Sequence, residues 1–174
     1  MSRIILIFSI LLTILVLIFC AKEKGESMKF TGAKGEVKLI TVDPGHFHAA
    51  LVQKIMYDQV AEKVHVYAPD GDDVKDHLNR INGFNSSQEN PTNWQEIVYL
   101  GSDFLEKMVV EKKGNVVVFS GNNKKKTEYI KATVDAGLNV LADKPMCIDK
   151  TGFELLKQAF TSAQKNNEIG RAHV

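Results

Sequence analysis

Cysteine is scarce in this chain: 174 residues hold two, Cys20 and Cys147, placed far apart. With no paired framework and no Cys-x-x-Cys knuckle, a disulfide scaffold and a zinc finger are both excluded. An excess of one charge is lacking as well. Lys and Arg together number 22 against 21 Asp and Glu, for a formal net charge of +1, and the longest basic run is Lys124-Lys125-Lys126. Such a balance leaves no electrostatic footprint for a polyanion, so nucleic acid is not an expected partner. What is present is a chain with 44% apolar and 25% charged residues, the composition of one ordinary globular domain.

The apolar residues are concentrated at the start. Ile4 to Phe19 is interrupted only by Ser9 and Thr13 and is preceded by Arg3 alone. A run of this length suits either a short spanning helix or the core of a signal peptide. Leu17-Ile18-Phe19-Cys20, followed by polar Ala21 to Lys24, resembles a bacterial lipoprotein signal in which Cys20 is lipidated, although Phe19 is larger than the small residue usual at that place. Residues 1–21 are therefore expected to be a signal peptide or membrane anchor, and the membrane a partner through the N-terminus. Residues 22–35, small and aperiodic toward their end, read as a linker, and residues 36–167 as the folded domain.

Within that domain, short β-branched runs alternate with helical spacing. Val37 to Val42, Val64 to Tyr67, Ile97 to Leu100, Asn115 to Ser120 and Asn139 to Ala142 read as strands. Helices are expected from Phe47 through Met56, around Val74 to Ile81, from Phe104 to Val109, from about Lys124 to Ala136, and from near Thr151, where Thr151 and Glu154 have capping-box spacing. Gly137 is placed to end the fourth helix in a left-handed turn. Strict alternation predicts the α/β class: a doubly wound, mostly parallel sheet with helices on both faces. In such sheets ligands gather at the carboxyl ends of the strands.

Those ends hold the chemically suggestive residues. After the first strand comes Asp43-Pro44-Gly45-His46-Phe47-His48, where Gly45 could let a helix N-terminus approach a pyrophosphate, with Asp43 and His48 standing where two further glycines would be. After the second strand the first carboxylate is Asp70, late for a ribose contact. His46-x-His48 after an apolar strand also resembles the opening metal pair of amidohydrolase barrels, but no further ligand is evident from sequence, so no metal site is assigned and both histidines are expected simply to line the rim.

Asn115 to Met146 carries a further likeness. Gly121-Asn122-Asn123 at a turn, Lys126 shortly after it, Ala136-Gly137 at a helix end and Asp143-Lys144-Pro145 after the next strand resemble the nucleotide-binding half of the Gfo/Idh/MocA oxidoreductases, the glucose-fructose oxidoreductase and inositol dehydrogenase family. That family has Thr-Pro-Asn-x-x-His at the turn and Glu-Lys-Pro after the strand. The resemblance implies a Rossmann-type sheet binding NAD or NADP, truncated before a second domain that would supply the pocket for a sugar- or polyol-like substrate. It implies that Asn123 and Lys144 approach the nicotinamide ribose, with Asp143 orienting Lys144 and Pro145 fixing the strand exit. Gly45, His46, Asp70, Asn123, Asp143, Lys144 and Pro145 are thus the candidate cofactor contacts, and Lys144 the candidate catalytic group. The chain by itself is expected to be inactive. The alternatives are an exported binding module that kept the fold and lost the cofactor, in keeping with the missing glycines, and a metal-dependent hydrolase fragment using His46 and His48. Ile169 to Val174 resembles translated library-adapter sequence, so residues 168–174 are expected to be a non-native tail.

Overall fold

The computed structural model describes residues 30–166 and 170–172. The apolar N-terminal run, Cys20 and most of the expected linker lie outside the described residues. Among the described residues, no helix is long and apolar enough to cross a membrane.

Five strands, β1 (Leu39–Val42), β2 (Lys63–Ala68), β3 (Gln95–Leu100), β4 (Val116–Phe119) and β5 (Asn139–Ala142), alternate with helices α1 (His48–Leu51), α2 (Asp72–Asn85), α3 (Phe104–Glu111), α4 (Lys126–Asp135) and α5 (Lys150–Asn166). All strands pair in parallel, in the order β3-β2-β1-β4-β5. The expected α/β doubly wound class is what the chain adopts. Gly170–Ala172 adds a short β6 beside β5, from Val140 opposite Gly170 to Ala142 opposite Ala172. This pairing falls within the expected tail; it uses backbone groups alone, which any short extended segment can offer to a free sheet edge.

The winding decides which face each helix covers. From β1 the chain steps outward to β2 and β3, then returns to β4 and steps the other way to β5, so right-handed crossovers place α1 and α2 on one face and α3, α4 and α5 on the other. On the second face Ile40, Val42, Val117, Phe119, Val140 and Ala142 alternate inward and meet Met108, Ile130, Val134, Leu156 and Ala159. On the first, Leu39, Val64 and Val118 pack with Ala50, Ile81 and Trp94. Toward β5 this first face carries no helix among the described residues, and Val118 and Leu141 line an open groove.

Two local expectations are corrected. The stripe Phe47, Leu51, Ile55, Met56 predicts a helix of several turns, yet α1 ends after one. The reason is Gln53, which is buried: its carbonyl accepts the Trp94 indole N–H at 2.6 Å and its side-chain amide donates to Glu96 at 2.5 Å. These bonds toward β3 take the place of helical ones, and Leu51 and Ile55 stay exposed. At α5 the cap is Asp149 rather than Thr151: the Asp149 carboxylate accepts the Gly152 amide at 2.7 Å, so the helix begins at Lys150. Gly137 ends α4 with φ of 82°, as its position predicts.

Candidate functional site

The ends of β1 and β4 lie side by side where the strand order reverses, and the turns that follow them touch through backbone. Gly45 N–H donates to the Ser120 carbonyl at 2.9 Å. Gly121 sits at φ of 88°, and a Cβ there would fall 2.5 Å from the Gly45 carbonyl carbon, so only glycine fits. Asp43, where the first glycine of a dinucleotide turn would stand, takes the left-handed conformation itself, with φ of 44°, as does Asn122 with φ of 42°. The buried Asp43 carboxylate ties the turns together by accepting the Asn122 side-chain amide and the Tyr129 hydroxyl, the latter at 3.2 Å. Burial, reinforced by this nearby negative charge, pushes the Tyr129 phenol well above its ordinary range.

A second cluster forms around Asp143, just beyond β5. The resemblance implies that Asp143 orients Lys144; instead its Oδ1 pairs with Lys126, whose side chain is only 1% exposed. Asp143 Oδ2 accepts the Ser120 hydroxyl at 2.9 Å and faces His48 Nδ1 at 3.4 Å and His46 Nδ1 at 3.9 Å. Burial acts to raise the Asp143 carboxyl, but the hydrogen bonds from Lys126 and Ser120, the Lys126 charge and His48 outweigh it and hold the group below its ordinary value. Three strand ends, β1, β4 and β5, thus converge on one carboxylate.

Lys144 is exposed, and among the described residues no carboxylate lies within 4.0 Å of it. It lines the groove, of about 700 Å³, together with His48, Ser120 and Asp143 on the polar side and Leu51, Val52, Tyr57, Val60, Val118 and Leu141 on the apolar side. The turn that carries it, including the cis Lys144–Pro145 peptide, is held to α4 by the Thr127 hydroxyl, which donates to the Met146 carbonyl at 2.6 Å. Asn123 is exposed on the β4 turn next to Asn122. Gly45 and His46 also border a smaller cavity of about 220 Å³ with Asp73, Asp76, His77 and Arg80. Asp70 stands apart: it is 71% exposed and pairs with Lys75 at 3.8 Å.

The structure therefore brings His46, Asp143 and Lys144 to one rim and leaves Asp70 outside it. Ser120, Asn122 and Lys126 were not expected to act there. Lys126 had one signal in the sequence, its place where the resembled family has histidine, and its burial shows that it serves Asp143.

No family model matches the chain, and no curated protein matches it significantly. Solved structures do. A candidate oxidoreductase from Parabacteroides merdae is 62% identical over 82% of this chain, with a TM-score of 0.81. The fold is Rossmann-type. A myo-inositol 2-dehydrogenase from Lactobacillus plantarum matches over 79% of the chain at 14% identity and TM-score 0.55. A biliverdin reductase from Synechocystis, solved with biliverdin and NADP+, matches over 79% at 9% identity and TM-score 0.58. These last two likenesses show the fold alone. The Rossmann-type chain spans about a third of the length of each, covering 33%, 36% and 37% of the three respectively. By their names the matched proteins are an oxidoreductase, a dehydrogenase and a reductase.

Proposed function

We propose that this chain is the dinucleotide-binding part of an NAD(P)-dependent oxidoreductase acting on a sugar- or polyol-like alcohol. The observation that carries the reading is the bare backbone contact of Gly45 with Gly121 at the switch point, together with Lys144 on the rim of the groove that His48 and Ser120 also line. A Cβ on Gly45 would meet the Asn122 amide nitrogen at 3.3 Å and the Asp73 carboxylate at 3.5 Å, so a side chain there would crowd the cradle that a phosphate must approach.

In this reading the Gly45 turn and His46 receive the pyrophosphate, and Asn123, Lys144 and Pro145 face the nicotinamide ribose. The bound nicotinamide would supply the hydride acceptor or donor. The Lys144 ammonium would polarise the reacting oxygen and stabilise charge developing on it. Two features weaken the cradle. Helix α1 has a single turn and therefore little dipole, and Asp73 and Asp76 line the small cavity with Arg80 as their only cationic neighbour there. They favour a second reading, a binding module without dinucleotide. We infer also that residues 1–21 hold the unit at a membrane, by lipidation at Cys20 or as an uncleaved anchor, because Ile4 to Phe19 has no other evident use.

Thermal unfolding of the full chain with NAD or NADP tests the proposal. A ligand at ten times its dissociation constant stabilises by about 1.4 kcal/mol, a readable rise in midpoint. Gly45→Val is expected to abolish the rise, and Lys144→Ala to weaken it while leaving the fold intact. No rise with either nucleotide, at millimolar concentration, would hand the chain to the binding-module reading.

A further inference from the structure

We propose that His46, His48 and Asp143 form a binding site for a transition-metal ion of the zinc type, with a coordination position open to the groove. The ligand atoms of the three residues all lie within 4.8 Å of one another. Zinc held at roughly 2.0–2.1 Å by nitrogen and oxygen in tetrahedral geometry separates its ligand atoms by about 3.3 Å. The His48 Nδ1 to Asp143 Oδ2 distance is 3.4 Å and the His46 Nδ1 to Asp143 Oδ2 distance is 3.9 Å, so both pairs are close to the spacing an ion would impose.

His46 Nδ1 also meets the His48 backbone amide, but at 3.5 Å, a contact at the outer limit of a hydrogen bond that a metal ion would replace. Asp143 has the outer contacts that metal-binding carboxylates use. Lys126 occupies Oδ1, Ser120 bonds to Oδ2 at 2.9 Å, and the carboxylate is thereby fixed with Oδ2 turned to the histidines.

Lys126 also settles which class of metal fits. Its buried ammonium opposes a cation through the carboxylate, which disfavours calcium or magnesium, ions that depend on several anionic oxygens. Two imidazoles and one carboxylate suit zinc, cobalt, nickel or copper. The two histidine side chains are 44% and 42% exposed, so three protein ligands leave room for water or a ligand oxygen, the pattern of open rather than purely structural sites. The site shares His46 with the pyrophosphate contact proposed above, and its test reads metal binding in the absence of dinucleotide.

The test uses the full chain, untagged, in detergent and stripped with a chelator. Titration with Co²⁺, read by its visible d–d absorption, is expected to show one equivalent bound in a four-coordinate site, displaced by one equivalent of Zn²⁺ and unaffected by Mg²⁺. His46→Gln and His48→Gln are each expected to weaken binding at least tenfold and remove the absorption, and Ser120→Ala to weaken it by about tenfold, within the usual range for outer contacts. Because Asp143→Asn strips Lys126 of its partner and can unfold the chain, the histidine variants decide. Cys147→Ser and His65→Gln are expected to bind like the wild type. Absence of stoichiometric binding, binding that survives both histidine variants, or binding lost with Cys147 would overturn the proposal, whatever NAD and NADP do.

Discussion

His77, buried, and Glu96, half-buried, are titratable side chains whose effects on stability run in opposite directions. His77 is 3% exposed, neither ring nitrogen has a hydrogen-bond partner among the described residues, and burial pushes its pKa down to about 4 from 6.5. Between those values the unfolded chain binds more protons, so stability falls as pH falls. His65, lowered chiefly by partial burial, adds to this side. Burial pushes the Glu96 carboxyl up to about 7 from 4.5, with the Gln53 hydrogen bond acting the other way. Here the folded chain binds more protons, so stability falls as pH rises through that window. Asp143 lies outside the contest: held below its ordinary 3.8, it contributes stability that is lost only as pH falls through its lowered value. The expected outcome is a shallow urea-midpoint profile between pH 4.5 and 6.5 in the unaltered chain. Glu96→Gln should expose a steep loss on acidification, approaching about 3 kcal/mol for a full shift of this size, and His77→Gln should reverse the slope. A profile unchanged by either substitution would show that the two groups do not titrate as their burial requires.

Among the elements, the paired turns after β1 and β4 carry the most constraint. Gly121→Ala adds both left-handed strain, worth about 1–2 kcal/mol, and a Cβ driven into the Gly45 backbone, worth about another 1–3 kcal/mol. The expected loss is at least about 2 kcal/mol by denaturant unfolding, whereas Gly83→Ala on α2, where a Cβ meets nothing within 4 Å, should not destabilise. Gly121 was readable only as part of a turn; that it must be glycine follows from a backbone 76 positions earlier in the chain, beyond the reach of local pattern. The strands were legible because Val116-Val117-Val118-Phe119 and its fellows are apolar on both faces, which a covered parallel sheet demands. The one-turn α1 was not, since spacing cannot show that Gln53 turns inward to Trp94 and Glu96. The site was half legible for the same reason. Strand-end residues could be named from punctuation, but the meeting of His46 and His48 with Asp143 requires that β4 lie between β1 and β5, and the partner of Lys126 is set by tertiary packing.

At the scale of the whole molecule, winding leaves one region without cover. Helices α4 and α5 cover β4 and β5 on one face, while the opposite face presents the groove of about 700 Å³ with Leu51, Val52, Tyr57, Val60, Val118 and Leu141 along it. A trough of this size with polar groups at one rim has the anatomy of a ligand or docking site. A competing apolar feature is the far edge, where β3 exposes Ile97, Val98 and Leu100 and its outer backbone is unpaired by any strand among the described residues. The two can be separated in a chain begun at Phe30, which removes the apolar N-terminal run. A fluorescent hydrophobic dye is expected to bind in the groove, and Leu51→Glu with Tyr57→Glu should cut its emission by at least about half. Both positions are nearly half exposed, 42% and 45%, so the unfolding midpoint should change little. Ile97→Lys should leave dye emission intact and reduce self-association, because an edge strand recruits other strands rather than small apolar molecules. If Ile97→Lys removes the dye signal and the groove substitutions do not, the exposed apolar surface that matters is the β3 edge, and the groove loses its claim to bind an apolar partner.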